Sequence, residues 1–261
     1  MVTVAGNFWK IAGVHAGRAG SEFSRRSILA REPRPVGVSG PPLRYLWGEL
    51  ASLRGMTARN AGYSPKPLQA LRSRPVMLLP GFGAHPIRMR PLARGLSDAG
   101  HTVHDWGLGL NLGPTEQNFA FQMRRVAALA QDHGRPIALI GWSLGGLFAR
   151  EIARRQPENV SCVITMGTPF SGNPRANNAW RAYQVITGHS VDAPPVECEL
   201  RGKPPVPTIA LWSPRDGVIH PRSACGWPDE RDRAVAVRCS HLGFSRDPRV
   251  IAEVMRQLDL I

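Results

Sequence analysis

With 261 residues, 43% of them hydrophobic, the chain is long enough to bury one sizeable core. It has no apolar run near the ~18 residues that cross a membrane and no continuous apolar segment of the kind that opens a secretory leader, so it reads as cytoplasmic. The formal charge of +14 is unevenly spread: residues 1–94 hold 15 Lys+Arg against 3 Asp+Glu, and residues 95–261 hold 18 against 16.

Only Lys10, Lys66 and Lys203 are lysines, and no basic stripe is interleaved with aromatics. This argues against a nucleic-acid partner. The basic N-terminal third reads first as solvated arginine, with weak contact to an anionic membrane surface as the partner it would suit. The four cysteines, Cys162, Cys198, Cys225 and Cys239, show no metal-binding spacing. Cys162 reads as a core residue, and the other three leave pairing open.

Residues 1–40 are rich in Gly, Ser, Arg and Pro and are expected to be mostly disordered. Within 41–56, Leu43, Leu46, Trp47, Leu50 and Leu53 recur at helical spacing, predicting an amphipathic helix packed on the body of the fold. A loose stretch to about residue 74 follows. Then come a buried strand at 75–83, a helix at 87–100, a strand at 101–107 and a helix at 115–134 capped by Thr115 and stopped by Gly134. A strand and helix meet within 135–156. Further strands are expected in "VSCVITMGTPF", at 206–214 and at 233–241, with a closing helix at 247–261 begun by Asp247 and Pro248. Strands alternating with helices, the strands almost continuously apolar, predict an α/β fold with a mostly parallel sheet and helices on both faces. Residues 170–205 interrupt the alternation and read as a small cap insertion. Residues 41–261 are thus expected to form one domain behind the segment 1–40.

The stretch "GWSLGG" carries the chemistry. It is a Gly-x-Ser-x-Gly pattern between a strand and a helix, in which Gly141 and Gly145 relieve the crowding around Ser143. A serine needs a base, and the base an orienting carboxylate. Asp216, in "SPRDGVIH", and His241, in "CSHLGF", each follow a strand, which puts both at the same carboxyl edge as Ser143. Among the other histidines, His220 follows no strand end, His101 and His104 belong to a strand, and His133 ends a helix. His85 lies near the loop after the first strand and is expected to line the pocket. Asp192, Asp229 and Asp232 are fallback acids. The backbone N–H groups of Leu144 and Phe82 are the expected oxyanion donors. Trp180 and Tyr183 from the cap are the apolar pocket candidates. Trp142 is a further candidate, with buried support for the turn as its other reading.

From about residue 75 to 258 the chain resembles the α/β-hydrolase superfamily, in particular its small bacterial lipase- and esterase-like members. The resemblance rests on "PGFG", "GWSLGG", "TMGTPF", "SPRDGVI" and "CSHLGF". It implies an α/β-hydrolase fold, a Ser143–His241–Asp216 triad, a small ester or lipid-like substrate, an acyl-enzyme on Ser143, and no cofactor or metal. An acyltransferase with the same triad is the alternative, and a non-catalytic binding protein a more distant one. Pro80 departs from the His-Gly of many lipases and bears on how the oxyanion loop is set.

Overall fold

A computed structural model describes residues 21–54 and 69–261, with the side chains of 50–54 outside the description. The expectations for residues 1–20 and 55–68 lie outside the described residues. Six strands form one sheet: β1 (Pro75–Leu79), β2 (Thr102–Asp105), β3 (Ile137–Trp142), β4 (Val160–Met166), β5 (Thr208–Trp212) and β6 (Arg233–Ala236). Their order is β2-β1-β3-β4-β5-β6, and every pairing is parallel.

Parallel strands need crossover connections, and helices cover both faces of the sheet. On one face Val76, Leu78, Ile140 and Ile164 pack with Leu92 and Leu96 of α3 (Arg90–Asp98) and Val250, Val254 and Leu258 of α8 (Pro248–Asp259). On the other, Met77, Leu79, Leu139 and Val163 pack with Val126 of α4 (Glu116–Asp132) and with Phe148 and Ile152 of α5 (Leu144–Arg155). The alternation along β1 explains why it is apolar throughout: each successive side chain enters a different core. The edge strands β2 and β6 are only half-buried. Thr115 caps α4 by accepting from the Asn118 amide, and Asp247 caps α8. No helix among the described residues is long and apolar enough to cross a membrane.

Two expectations about the N-terminal region need correction. Residues 21–31 form a helix, α1, rather than disordered chain. Its arginines seek helix C-terminal carbonyls, which carry partial negative charge. Arg25 and Arg26 donate to Gly188, Val185 and Ile186 at the end of α6 (Trp180–Thr187), in the segment between β4 and β5 that is here called the cap. The buried Gln184 donates to Leu29, and Glu32 pairs with Arg175 at 2.7 Å. The second correction concerns α2 (Leu43–Arg54), which is a helix but is turned the other way. Leu43 and Trp47 are 66% and 72% exposed, whereas Glu49 is 4% exposed. The cause is polar. The Glu49 carboxylate finds three backbone donors in the body of the fold, and the backbone of Tyr45 lies against Gly217, where an added Cβ would meet the Tyr45 carbonyl carbon at 2.6 Å.

Candidate active site

The strand order reverses direction between β1 and β3, since the chain runs outward from β1 to β2 and then returns to the other side of β1. Such a switch point opens a crevice at the carboxyl edge of the sheet. Ser143 stands there, at the junction of β3 and α5. Its φ of 53° and ψ of −121° make it the one non-glycine with positive φ among the described residues. A serine costs something in this conformation, and the surroundings over-determine it. The Ser143 amide donates to Met166 at 2.8 Å. A side chain at Gly141 would strike the backbone of Gly145 and Gly146, and one at Gly145 would strike the carbonyl of Leu79. At Gly146 the obstacle is the Thr168 side chain just past β4. The three glycines therefore let the first turn of α5 press against the ends of β1, β3 and β4.

The loop after β1 crosses directly against the serine: a Cβ on Gly81 would lie 3.2 Å from the Ser143 Cβ. This loop is fixed by Asn111, which is fully buried. The Asn111 amide nitrogen donates to the Pro80 carbonyl at 2.7 Å, and the Gly83 amide donates to the Asn111 carbonyl at 2.7 Å. Pro80, having no N–H, serves as the acceptor end of the clamp. Sequence reasoning missed Asn111; its only trace is a lone amide in the turn-rich "GLGLNLGPT".

Asp216 follows β5, and His241 opens a 3-10 turn, His241–Ser245, five residues beyond β6. They are brought together: His241 Nδ1 lies 2.8 Å from Asp216 Oδ2, with the two side chains 6% and 1% exposed. The other carboxylate oxygen accepts from the amides of Val218 and Ile219, both at 2.8 Å. An ionised carboxylate can only accept, so the proton belongs on Nδ1 and Nε2 is left as the basic nitrogen. Burial alone would lower the His241 pKa. The charge and hydrogen bond of Asp216, with the charge of Glu49 added, hold it above the ordinary histidine value instead. The two loops are tied by Ser213, whose hydroxyl donates to the Cys239 carbonyl at 2.6 Å. The end of β4 makes room: a Cβ at Gly167 would come within 3.1 Å of Asp216 Oδ2 and closer still to the Phe244 ring.

Trp142 is buried support rather than pocket wall. Its indole N–H donates to the His241 carbonyl at 3.1 Å, and its ring sits 5.7 Å from the imidazole. The serine's strand thereby touches the histidine's turn. The other sequence candidates divide. Ser143, Phe82, Leu144, Trp180 and Tyr183 line one cavity of about 140 Å³ between the sheet edge and the cap. Phe82 and Tyr183 pack ring to ring across it at 5.2 Å. Glu151 borders it too, but its carboxylate is engaged by Arg154 and Arg155. His85 does not line this cavity. It is exposed and caps the turn Pro86–Met89, its Nδ1 accepting from the Ile87 amide, one of the first-turn N–H groups that the short helix leaves without an internal acceptor.

The fallback acids are engaged elsewhere or exposed: Asp192 with Arg175, Asp232 with Lys203, and Asp229 at the surface. His220 caps α7 (Pro221–Cys225), while His104 and His133 hydrogen-bond each other at 2.9 Å. All four cysteines are free thiols, including Cys225 and Cys239.

Residues 74–186 match a family model described as the alpha/beta hydrolase fold. A stretch of 110 residues is 32% identical to the pimeloyl-[acyl-carrier protein] methyl ester esterase of Aliivibrio salmonicida; it spans 41% of this chain and 40% of that relative. Among solved structures, a membrane phospholipase A described as a bacterial virulence factor is similar over 97% of both chains, at 20% identity and a TM-score of 0.52. A non-heme bromoperoxidase, so designated provisionally, from Mycobacterium tuberculosis H37Rv is similar over 71% of this chain and 91% of its own, at 18% identity and a TM-score of 0.51. The parallel sheet, its order and these likenesses set the chain among the proteins of the alpha/beta hydrolase fold.

Proposed function

We propose that this chain is a serine hydrolase that cleaves carboxylic esters through an acyl-enzyme on Ser143. One observation carries the reading: a serine in a strained strand-to-helix turn borders an apolar cavity, while a buried histidine–carboxylate pair is tied to that turn's own strand through Trp142. The methyl ester named for the curated relative is of the proposed substrate class.

In this reading His241 Nε2 takes the hydroxyl proton as Ser143 Oγ attacks the ester carbonyl. The carbonyl carbon becomes tetrahedral, and its oxygen takes the negative charge. The N–H groups of Leu144, at the N-terminus of α5, and Phe82, in the Asn111-clamped loop, are assigned to that oxygen. Asp216 keeps the imidazole in the productive tautomer and stabilises the imidazolium. The imidazolium gives its proton to the departing alkoxide. Water, deprotonated by His241, then attacks the acyl-enzyme and releases the acid and Ser143. Tyr183 is not a rival acid–base group, since burial raises its pKa. The walls formed by Phe82, Leu144, Trp180 and Tyr183 favour an acyl chain or another uncharged apolar group.

The test is a chain-length series of p-nitrophenyl esters with wild type and Ser143→Ala. Wild type turns over at least one member and the variant none above background. Equal turnover by both proteins, or none by either, overturns the assignment.

A further inference from the structure

The two loops that carry Asp216 and His241 are held by a residue far from either in sequence. Glu49 reaches in from α2 and is 4% exposed. Oε1 accepts from the Gly217 amide at 3.0 Å and from the His241 amide at 2.5 Å; Oε2 accepts from the Leu242 amide at 2.9 Å. A buried carboxylate is costly unless its lone pairs are used, and here three amides use them. Those donors are the residue after the proposed acid, the proposed base itself, and the residue after the base.

We propose that Glu49 is a positioning residue for the acid–base pair, its carboxylate fastening the backbone of the Asp216 loop to that of the His241 turn. The inference rests on the reading of Asp216 and His241 as that pair. It assigns to α2 a part in catalysis that the apolar stripe of that helix conceals. The helix closes on the two loops at backbone distance, since Gly217 faces the Tyr45 carbonyl. It is anchored from the cap side as well: the Asn178 amide nitrogen donates to Pro41 at 3.1 Å and to Gly217 at 2.9 Å. Glu49 also adds negative charge near an imidazole that must become positive in the reaction. The charged or titratable groups around His241 are Asp216 from the acid loop, Glu49 from α2 and the Cys239 thiol two residues earlier. Burial and the neighbouring carboxylates raise the Cys239 pKa, so the thiol stays neutral. The Trp142 and Phe244 rings complete the surroundings.

Glu49→Gln separates the charge from the shape. Glutamine keeps one acceptor oxygen for two amides, loses the charge, and turns an NH2 group toward the third amide. Two readouts apply. In the first, the His241 imidazole is titrated by NMR in wild type and variant, its signal assigned from its loss in His241→Asn. In the second, kcat and KM are measured on the best p-nitrophenyl ester across pH. The imidazole is expected to titrate at lower pH in the variant. Its kcat falls by roughly 10- to 100-fold, as loss of alignment implies, and KM holds, since Glu49 is not among the cavity's lining residues. A folded variant whose His241 titrates and turns over as in wild type overturns the proposal. Should Glu49→Gln fail to fold, Gly217→Ala carries the test: it keeps the carboxylate but pushes the helix off the loop, with the same downward shift expected. If wild type cleaves no ester, the hydrolase reading fails, while the NMR titration still decides the role of Glu49.

Discussion

The serine side and the histidine side of the site are built in opposite ways. Ser143 is placed chiefly by sterics. The glycines at 141, 145 and 146 let its turn form within six residues, and the ends of β1 and β4 press against that turn. His241 and Asp216 are placed by bonds between distant segments: to each other across 25 positions, and to Glu49 across 192 and 168 positions from His241 and Gly217. In the proposed mechanism the nucleophile, with its strained backbone, is held by sterics, and the base, which accepts and releases a proton, by hydrogen bonds that supply charge as well as position.

The largest effect should come from removing each side's reacting group. Ser143→Ala is expected to lower kcat by roughly 10⁵- to 10⁶-fold with the fold intact, read by ester turnover and circular dichroism. Asp216→Asn should cost about 10⁴-fold, because the amide lets the imidazole adopt the wrong tautomer; a fall under tenfold would remove Asp216 from the pair. Asn111→Ala tests whether the serine side depends on its clamp. It leaves the Pro80 carbonyl without its donor and should destabilise by about 1–3 kcal/mol, measured by denaturant unfolding.

The pH profile probes the histidine side. The raised pKa of His241 means that activity, which needs the neutral imidazole, should climb through a midpoint above the ordinary histidine value. Stability linked to this group moves the other way. It is fully present below the unfolded-state pKa and is lost as pH rises through the folded one. Unfolding measured across that window should show the decline. The smallest effect joins the two sides. Trp142→Phe removes the indole donor to the His241 carbonyl and should cost about 1 kcal/mol, with kcat affected more than KM.

How much the sequence revealed follows the same division. The strands, the helices with Thr115 and Asp247 as caps, the turn at Ser143 and the pairing of Asp216 with His241 are readable, since periodicity, caps and chain order are local signals. Glu49 is hidden because an acid within an apolar stripe reads as its solvated edge. Helical periodicity alone cannot show that three backbone amides on the other side take this carboxylate as their acceptor. The same stripe pointed Leu43 and Trp47 inward, where the structure turns them out. Composition placed residues 21–31 among disordered chain, although their arginines meet carbonyls of the cap more than 150 positions away. His85 shows the reverse error: closeness in sequence to the oxyanion loop suggested a pocket residue, and the need to cap the next turn claimed it.

The span between Glu49 and His241 also sets an order of assembly. As the chain is synthesised, α2 emerges long before the turn it fastens. Ser143 and its three glycines can take up their turn while both ends of the clamp are still apart. The carboxylate can bind all three amides only after residue 242 has left the ribosome. Closing contacts across 193 positions is slow compared with forming a turn. In the proposed mechanism, reactivity therefore arrives late, once the turn at residues 241–242 has met the Glu49 carboxylate.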